Sequence, residues 1–205
     1  MGKQLAISGL AFGQNVLGII TRPYETYRRI VHKSSLWEMV YIGTCLALYF
    51  VTAALVKTSL FRPFLMTRQF VLLGAAATIT FLLAVSLFWQ VGRWFGVKEN
   101  FQGFVLGWSY SLIPTLFWFL MTSLLFVALP PPRTTSVLGV TFSIVYLLIS
   151  VTLLFWKIIL AFLSLRFGLR LDFAKIIAVC GIVLPILGAY SFGMYRLGIF
   201  RIPFI

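Results

Sequence analysis

Five apolar stretches, each about long enough to cross a bilayer and each nearly free of charge, leave this chain few ways to fold. They run from about 36 to 56, 69 to 91, 101 to 129, 137 to 157 and 173 to 194. A helix crosses the roughly 30 Å hydrocarbon core with about 20 residues. Inside that core the backbone must satisfy its own hydrogen bonds, which a helix does within one segment. The predicted fold class is therefore all-α: a polytopic integral membrane protein, a bundle of five transmembrane helices preceded by a cytosolic amphipathic helix. Residues 1–35 form the N-terminal interfacial segment, 36–197 the membrane domain and 198–205 a short tail.

Charge sets the orientation and narrows the partners. Of 205 residues only 10% are charged, and 17 Lys and Arg face 4 acids for a net +13. Cytoplasmic loops collect Lys and Arg. With five spans, the N-terminal side holds 11 basic residues and the opposite side 6. The N terminus is thus expected in the cytosol and the C terminus outside or in a lumen. The basic residues are spread over all the loops rather than gathered in a stripe, which argues against nucleic acid as a partner. The expected partner is the bilayer itself, through anionic headgroups at the cytosolic face. Met1-Gly2-Lys3-Gln4-Leu5-Ala6 puts Ala6 where a myristoylation signal wants Ser or Thr, so neither a lipid anchor nor a cleaved signal is expected.

Before the first span, Gly9, Gly13, Gln14 and Asn15 interrupt an otherwise apolar start, which reads as an interfacial segment. Pro23 then opens a helix, with Glu25 in its first turn near the positive dipole end. Ile20, Tyr24, Tyr27 and Val31 recur at helical spacing, while Arg22, Arg28, Arg29 and Lys33 are the residues expected to meet the membrane surface.

The third stretch carries Gly107-Trp108-Ser109-Tyr110-Ser111-Leu112-Ile113-Pro114, a polar, proline-bearing patch in an apolar run. Polar atoms at that depth predict a helix packed among neighbours, the central one of the bundle. Gly103, Gly107 and Ser111 share one face at a spacing that lets another backbone come close. Packing inside the bundle and self-association both use such a face. Gly181 and Gly188 on the fifth stretch are candidates for the opposing surface. Pro114 is expected to distort or break the helix. Glu38 and Lys157, the ionisable residues nearest membrane depth, either pair across the first and fourth spans or snorkel separately to the headgroups.

Catalytic residues are not expected. His32 is the single histidine and sits in the amphipathic helix, the segment around Ser109 lacks the second glycine of a nucleophile elbow, and Asp172 is the single aspartate. Cys45 and Cys180 fall in predicted spans and read as small buried apolar residues, so no metal site and no cofactor are expected. Hydroxyls within the spans, among them Thr78, Thr80, Ser109, Ser143, Ser150 and Thr152, would line a path if the protein were a permease.

Two segments carry a family resemblance. Arg22-Pro23-Tyr24-Glu25-Thr26-Tyr27-Arg28-Arg29-Ile30, followed by Leu36-Trp37, resembles the proline-led start of prokaryotic members of the Yip family of Ypt-interacting membrane proteins. Tyr110-Ser111-Leu112-Ile113-Pro114 is similar to the family's Gly-Tyr-x-x-x-Pro pattern in the third span, with Ser109 where the glycine is expected. The family's Asp-Leu-x-Gly-Pro motif is missing, and the cytosolic head is short and poor in acids. The resemblance implies a non-enzymatic membrane-organising or partner-binding scaffold of trafficking type, placed in the plasma membrane of a prokaryote or in the endoplasmic reticulum and Golgi of a eukaryote. Its eukaryotic relatives work with Rab-type GTPases and with each other, so the partner implied is a membrane protein or a second copy. A small-solute permease or a lipid-handling protein is the alternative.

Overall fold

A computed structural model describes residues 2–32, 35–57, 63–97, 100–128 and 136–199. Every regular element among them is helical: α1 Gly2–Thr21, α2 Pro23–His32, α3 Glu38–Lys57, α4 Pro63–Trp94, α5 Phe101–Tyr110, α6 Ile113–Ala128, α7 Val137–Leu163 and α8 Phe173–Arg196. A π-helical turn, Ser164–Gly168, continues α7. Four stretches, Phe70–Trp94, Phe101–Leu125, Gly139–Gly168 and Phe173–Arg196, are long and apolar enough to cross a membrane. The apolar part of α3, Glu38–Ala53, is shorter. Lys33, the first outer connection at 58–62, the Pro130-Pro131-Pro132-Arg133 turn and the tail from 200 on lie outside the described residues.

Local chemistry explains where the helices start and stop. The Asn100 side chain accepts from the Gly103 N–H and opens α5, and Ser136 does the same for Gly139 at the start of α7. α4 ends at Gly96, whose φ of 81° closes the helix in the left-handed conformation that glycine tolerates. The third apolar stretch divides in two. Proline has no N–H to give the Tyr110 carbonyl, and Ser111 and Leu112 form a turn between α5 and α6, with fully buried Pro114 in the first turn of α6.

The helices surround α5. It packs against α2, α3, α4, α7 and the π turn, which makes it the centre of the bundle. Around it α8 lies on α4, α4 on α3, α3 on α6 and α6 on α7. One apolar cluster joins Val85 and Phe88 of α4, Phe104 of α5, Leu165 of the π turn and Val179 of α8. A second joins Ile19 of α1, Tyr27 and Ile30 of α2, Ile42 of α3, Leu106 and Tyr110 of α5 and Leu160 of α7.

The N-terminal segment departs from the sequence reading. α2 turns Thr26, Tyr27, Ile30 and Val31 inward against the protein, while Ile20 and Tyr24 of the expected stripe are about half exposed. Its apolar face is thus taken by the bundle rather than by a membrane surface. α1 is docked as well, with Ser8, Asn15 and Ile19 buried.

Candidate functional site: a buried polar junction

Four helices meet at one polar cluster. Asn15 of α1 donates from Nδ2 to Glu38 Oε2 at 2.8 Å, and the Tyr110 hydroxyl of α5 donates to the same carboxylate oxygen at 2.5 Å. Asn15 Nδ2 also reaches the Tyr110 oxygen at 3.3 Å. From α2, Arg29 Nη2 donates to Asn15 Oδ1 at 2.8 Å. Asn15, Glu38 and Tyr110 are all buried. The carboxylate at the first residue of α3 is therefore joined through one amide to a guanidinium, so a buried negative charge meets donors and a linked positive charge instead of hydrocarbon. Each atom has a fixed job: Asn15 accepts from the cation on one side and donates to the anion on the other.

Close approaches hold the same region. Tyr27 donates to the Gly107 carbonyl at 3.3 Å, and Asn100, while capping α5, donates to the Val31 carbonyl at 2.9 Å. Burial pushes the Tyr27 phenol well above its ordinary range, against a smaller opposing effect of its hydrogen bond with Ser164, so it stays neutral. A Cβ on Gly103 would lie 2.8 Å from the Val31 oxygen, and one on Gly107 would touch Ser164 and Tyr27. Ser111 is buried with its hydroxyl on the Trp108 carbonyl at 2.7 Å. The small-residue face of α5 thus packs on α2 and the π turn. Gly181 and Gly188 are not its counterpart, because a Cβ on either would meet nothing within 4 Å.

Of the two readings of Glu38 and Lys157, the pair is not the one that forms. Glu38 takes its donors from α1 and α5 and its linked cation from α2, while Lys157, half-buried on α7, has no hydrogen-bond or ion-pair partner among the described residues. Arg22, Arg28 and Arg29 are exposed, and Arg22 faces Glu25 at 3.8 Å. Cys45 is exposed on α3 rather than buried, and Cys180 is half-buried.

Sequence reasoning missed Asn15, Gly18 and Gly168. Asn15 looks like an interruption of apolar sequence, yet a lone amide in an apolar helix is the signal that something must satisfy it. Gly18 lets α2 approach, since a Cβ there would lie 2.5 Å from the Thr26 hydroxyl. Gly168 brings the π turn onto α5, where a Cβ would lie 2.8 Å from the Phe104 Cα. The hydroxyls suggested for a solute path bond to carbonyls of their own helices: Thr78 to Gly74, Ser109 to Val105, Ser143 to Gly139, Ser150 to Tyr146 and Thr152 to Leu148.

Comparison with known proteins adds one finding. The family profile of the Yip1 domain matches residues 17–195, most of the chain. No curated protein and no solved structure matches it.

Proposed function

Since the chain belongs to the Yip1 domain family, we propose that it is a non-enzymatic, membrane-organising scaffold that presents its N-terminal hairpin, α1 and α2, to a partner in the membrane. In this reading α3, 20 residues and about 30 Å long, is a fifth span beside the four longer stretches. The excess of Lys and Arg on the N-terminal side supports a hairpin at the cytoplasmic face.

The polar junction is the observation that carries the reading. Asn15, Arg29, Glu38 and Tyr110 bond to one another across four helices, so their chemistry is positional: it fixes the hairpin on α3 and α5. A rigidly held hairpin is what a docking platform needs, because pre-ordering lowers the entropy lost on association. Its surface then offers Tyr24, half-exposed with its ring edge-on to Phe167, and the exposed cation Arg28, residue kinds enriched in interfaces. The transport reading has less support, since the hydroxyls that would line a path are engaged with their own helices.

Photo-crosslinkers at Tyr24, Arg28 and Val151, with the chain in its own membranes, test this. A discrete membrane-protein or self-adduct from the first two positions and not from Val151, lost in Glu38→Leu, is the expected result. A saturable solute flux in proteoliposomes with no discrete adduct at Tyr24 or Arg28 would overturn it.

A further inference from the structure

α1 is apolar on both sides, unlike a helix facing water. Its inner side packs Phe12, Val16 and Ile19 around the buried polar Ser8 and Asn15, while Ile7, Leu10 and Leu17 point outward with 67%, 72% and 67% of their surface exposed. On a helical wheel these three share one stripe with Gln14 and Thr21. The helix also runs down along α3: Asn15 bonds Glu38, Phe12 stacks on Tyr41 with centroids 5.7 Å apart, and a Cβ on Gly9 would touch the Tyr41 hydroxyl. Moving from Asn15 towards Gly9 therefore follows α3 away from its first residue. The rise from Leu17 to Ile7 is about 15 Å, the hydrocarbon depth of one leaflet.

At the other end of that stripe, α1 and α2 enclose an open cleft of about 610 Å³. Gln14, Leu17, Thr21, Arg22, Glu25 and Arg29 are among its walls. The two guanidiniums differ in how they are held. Arg29 is oriented by Asn15, itself buried and fixed by Glu38, and uses one of its N–H groups there, which leaves others of its fork available. Arg22 has only a loose contact of 3.8 Å with Glu25, both side chains more than two-thirds exposed, a kind of pair that contributes little.

We infer that the hairpin seats one anionic phosphodiester lipid, with its phosphate between Arg22 and Arg29 and an acyl chain along Leu17, Leu10 and Ile7. Two cations and one carboxylate in the cleft leave one net positive charge, which matches a singly charged diester better than a phosphate monoester or a polyphosphorylated headgroup. Gln14 and Thr21 supply side chains able to bond hydroxyls of a glycerol headgroup. A second copy of the chain fits this surface less well, because each copy carries a net +13 and would bring like charge to the arginines. The seat goes beyond the scaffold reading and is tested apart from it, by lipid binding rather than partner capture.

The experiment uses the full chain in detergent, with native mass spectrometry following phosphatidylglycerol bound against phosphatidylcholine. Wild type is expected to retain one phosphatidylglycerol. Arg22→Gln and Arg29→Gln should each weaken it about tenfold, which is about 1.4 kcal/mol. Arg28→Gln, exposed on α2 and outside the cleft, should change it little. Arg22→Gln carries the test, because Arg22 makes no bond within the polar junction and its loss leaves that junction intact. Equal losses for Arg22→Gln and Arg28→Gln would mean general surface attraction and overturn the seat. Competition by soluble glycerol phosphate at the lipid's own concentration would assign the cleft to free phosphate and overturn it as well.

Discussion

α5 and α7 both lie in membrane-long stretches, and they are held by opposite means. In α5 Gly103, Phe104, Leu106, Gly107, Ser109 and Tyr110 are all buried, with side-chain bonds reaching α2 and α3. In α7 Ile144, Leu147, Leu148, Val151, Leu154, Phe155 and Ile158 are exposed, and among its described side chains the buried ones are Leu160 and Leu163 in its last turns, with Gly139 buried near its start. Lipid tails are as apolar as leucine, so burial against a neighbour gains little there. A membrane helix is fixed in place by close backbone contact and by polar atoms that need partners. α5 has both and α7 little of either, so the part of the protein that resists change is the junction of α1, α2, α3 and α5.

The largest effect should follow from Glu38. Glu38→Leu strips the acceptor from Asn15 and Tyr110 and leaves Arg29 without its linked anion. Leaving two buried donors, the Asn15 amide and the Tyr110 hydroxyl, without their acceptor is costly, about 3 kcal/mol here. Glu38→Gln keeps an acceptor oxygen and should lose less than half as much. Thermal unfolding in mild detergent measures both, and a Glu38→Leu protein as stable as wild type would erase the distinction between the two regions.

Glycines sharpen the comparison next. Gly168→Ala drives a methyl towards the Phe104 backbone and should destabilise by about 2 kcal/mol. Gly181→Ala on α8 meets open space and should be neutral or stabilising by about 0.5 kcal/mol, because alanine is the better helix former. Reversal of that order in the same unfolding assay would place the tight contact on the wrong helix. Tyr27 adds a pH test. Its phenol is neutral when buried and titrates near pH 10 when the chain unfolds, so the unfolded state loses a proton that the folded state keeps. Stability should then be flat below about pH 10 and fall above it, by up to about tenfold in the folding equilibrium per pH unit, relative to Tyr27→Phe. Parallel pH profiles for the two proteins would show that the phenol is not sealed.

Much of this was legible in the sequence, and what was not has a common cause. Apolar length gives the long helices, and Pro114 gives the break between α5 and α6, because both follow from backbone chemistry within one segment. The polar patch around Ser109 and Tyr110 marks the central helix for a similarly local reason. Pairings between segments are different. Glu38 and Lys157 are natural partners when only ionisable residues are considered, yet the structure satisfies Glu38 with an amide and a phenol from α1 and α5. Nothing local in Asn15 says which carboxylate it will meet. The π turn at Ser164–Gly168 is equally silent, since it depends on how α7 seats against α5. The apolar stripe of α2 reads the same whether membrane or protein covers it, and here protein covers Tyr27 and Val31.

A small loss belongs to the polar contacts between α6 and α7, and it decides whether hydrogen bonds alone distinguish the two regions. Thr122 of α6 lies 2.8 Å from the Tyr146 hydroxyl of α7, and Trp118 donates to Ser150 at 3.0 Å, so α6 and α7 are also linked by polar atoms. Glu38 draws both of its donors from other helices, whereas Thr122 also bonds within its own, to the Trp118 carbonyl at 2.7 Å. Neither side chain carries a charge, and Tyr146 is only half-buried. Thr122→Val should therefore lose about 0.6 kcal/mol, the typical worth of one interhelical hydrogen bond in a membrane. Combined with Glu38→Leu it should add simply, because the two sites share no partner. A loss as large as that of Glu38→Leu would mean that α6 and α7 are held as firmly as α5, and that buried charge is not what sets the junction apart.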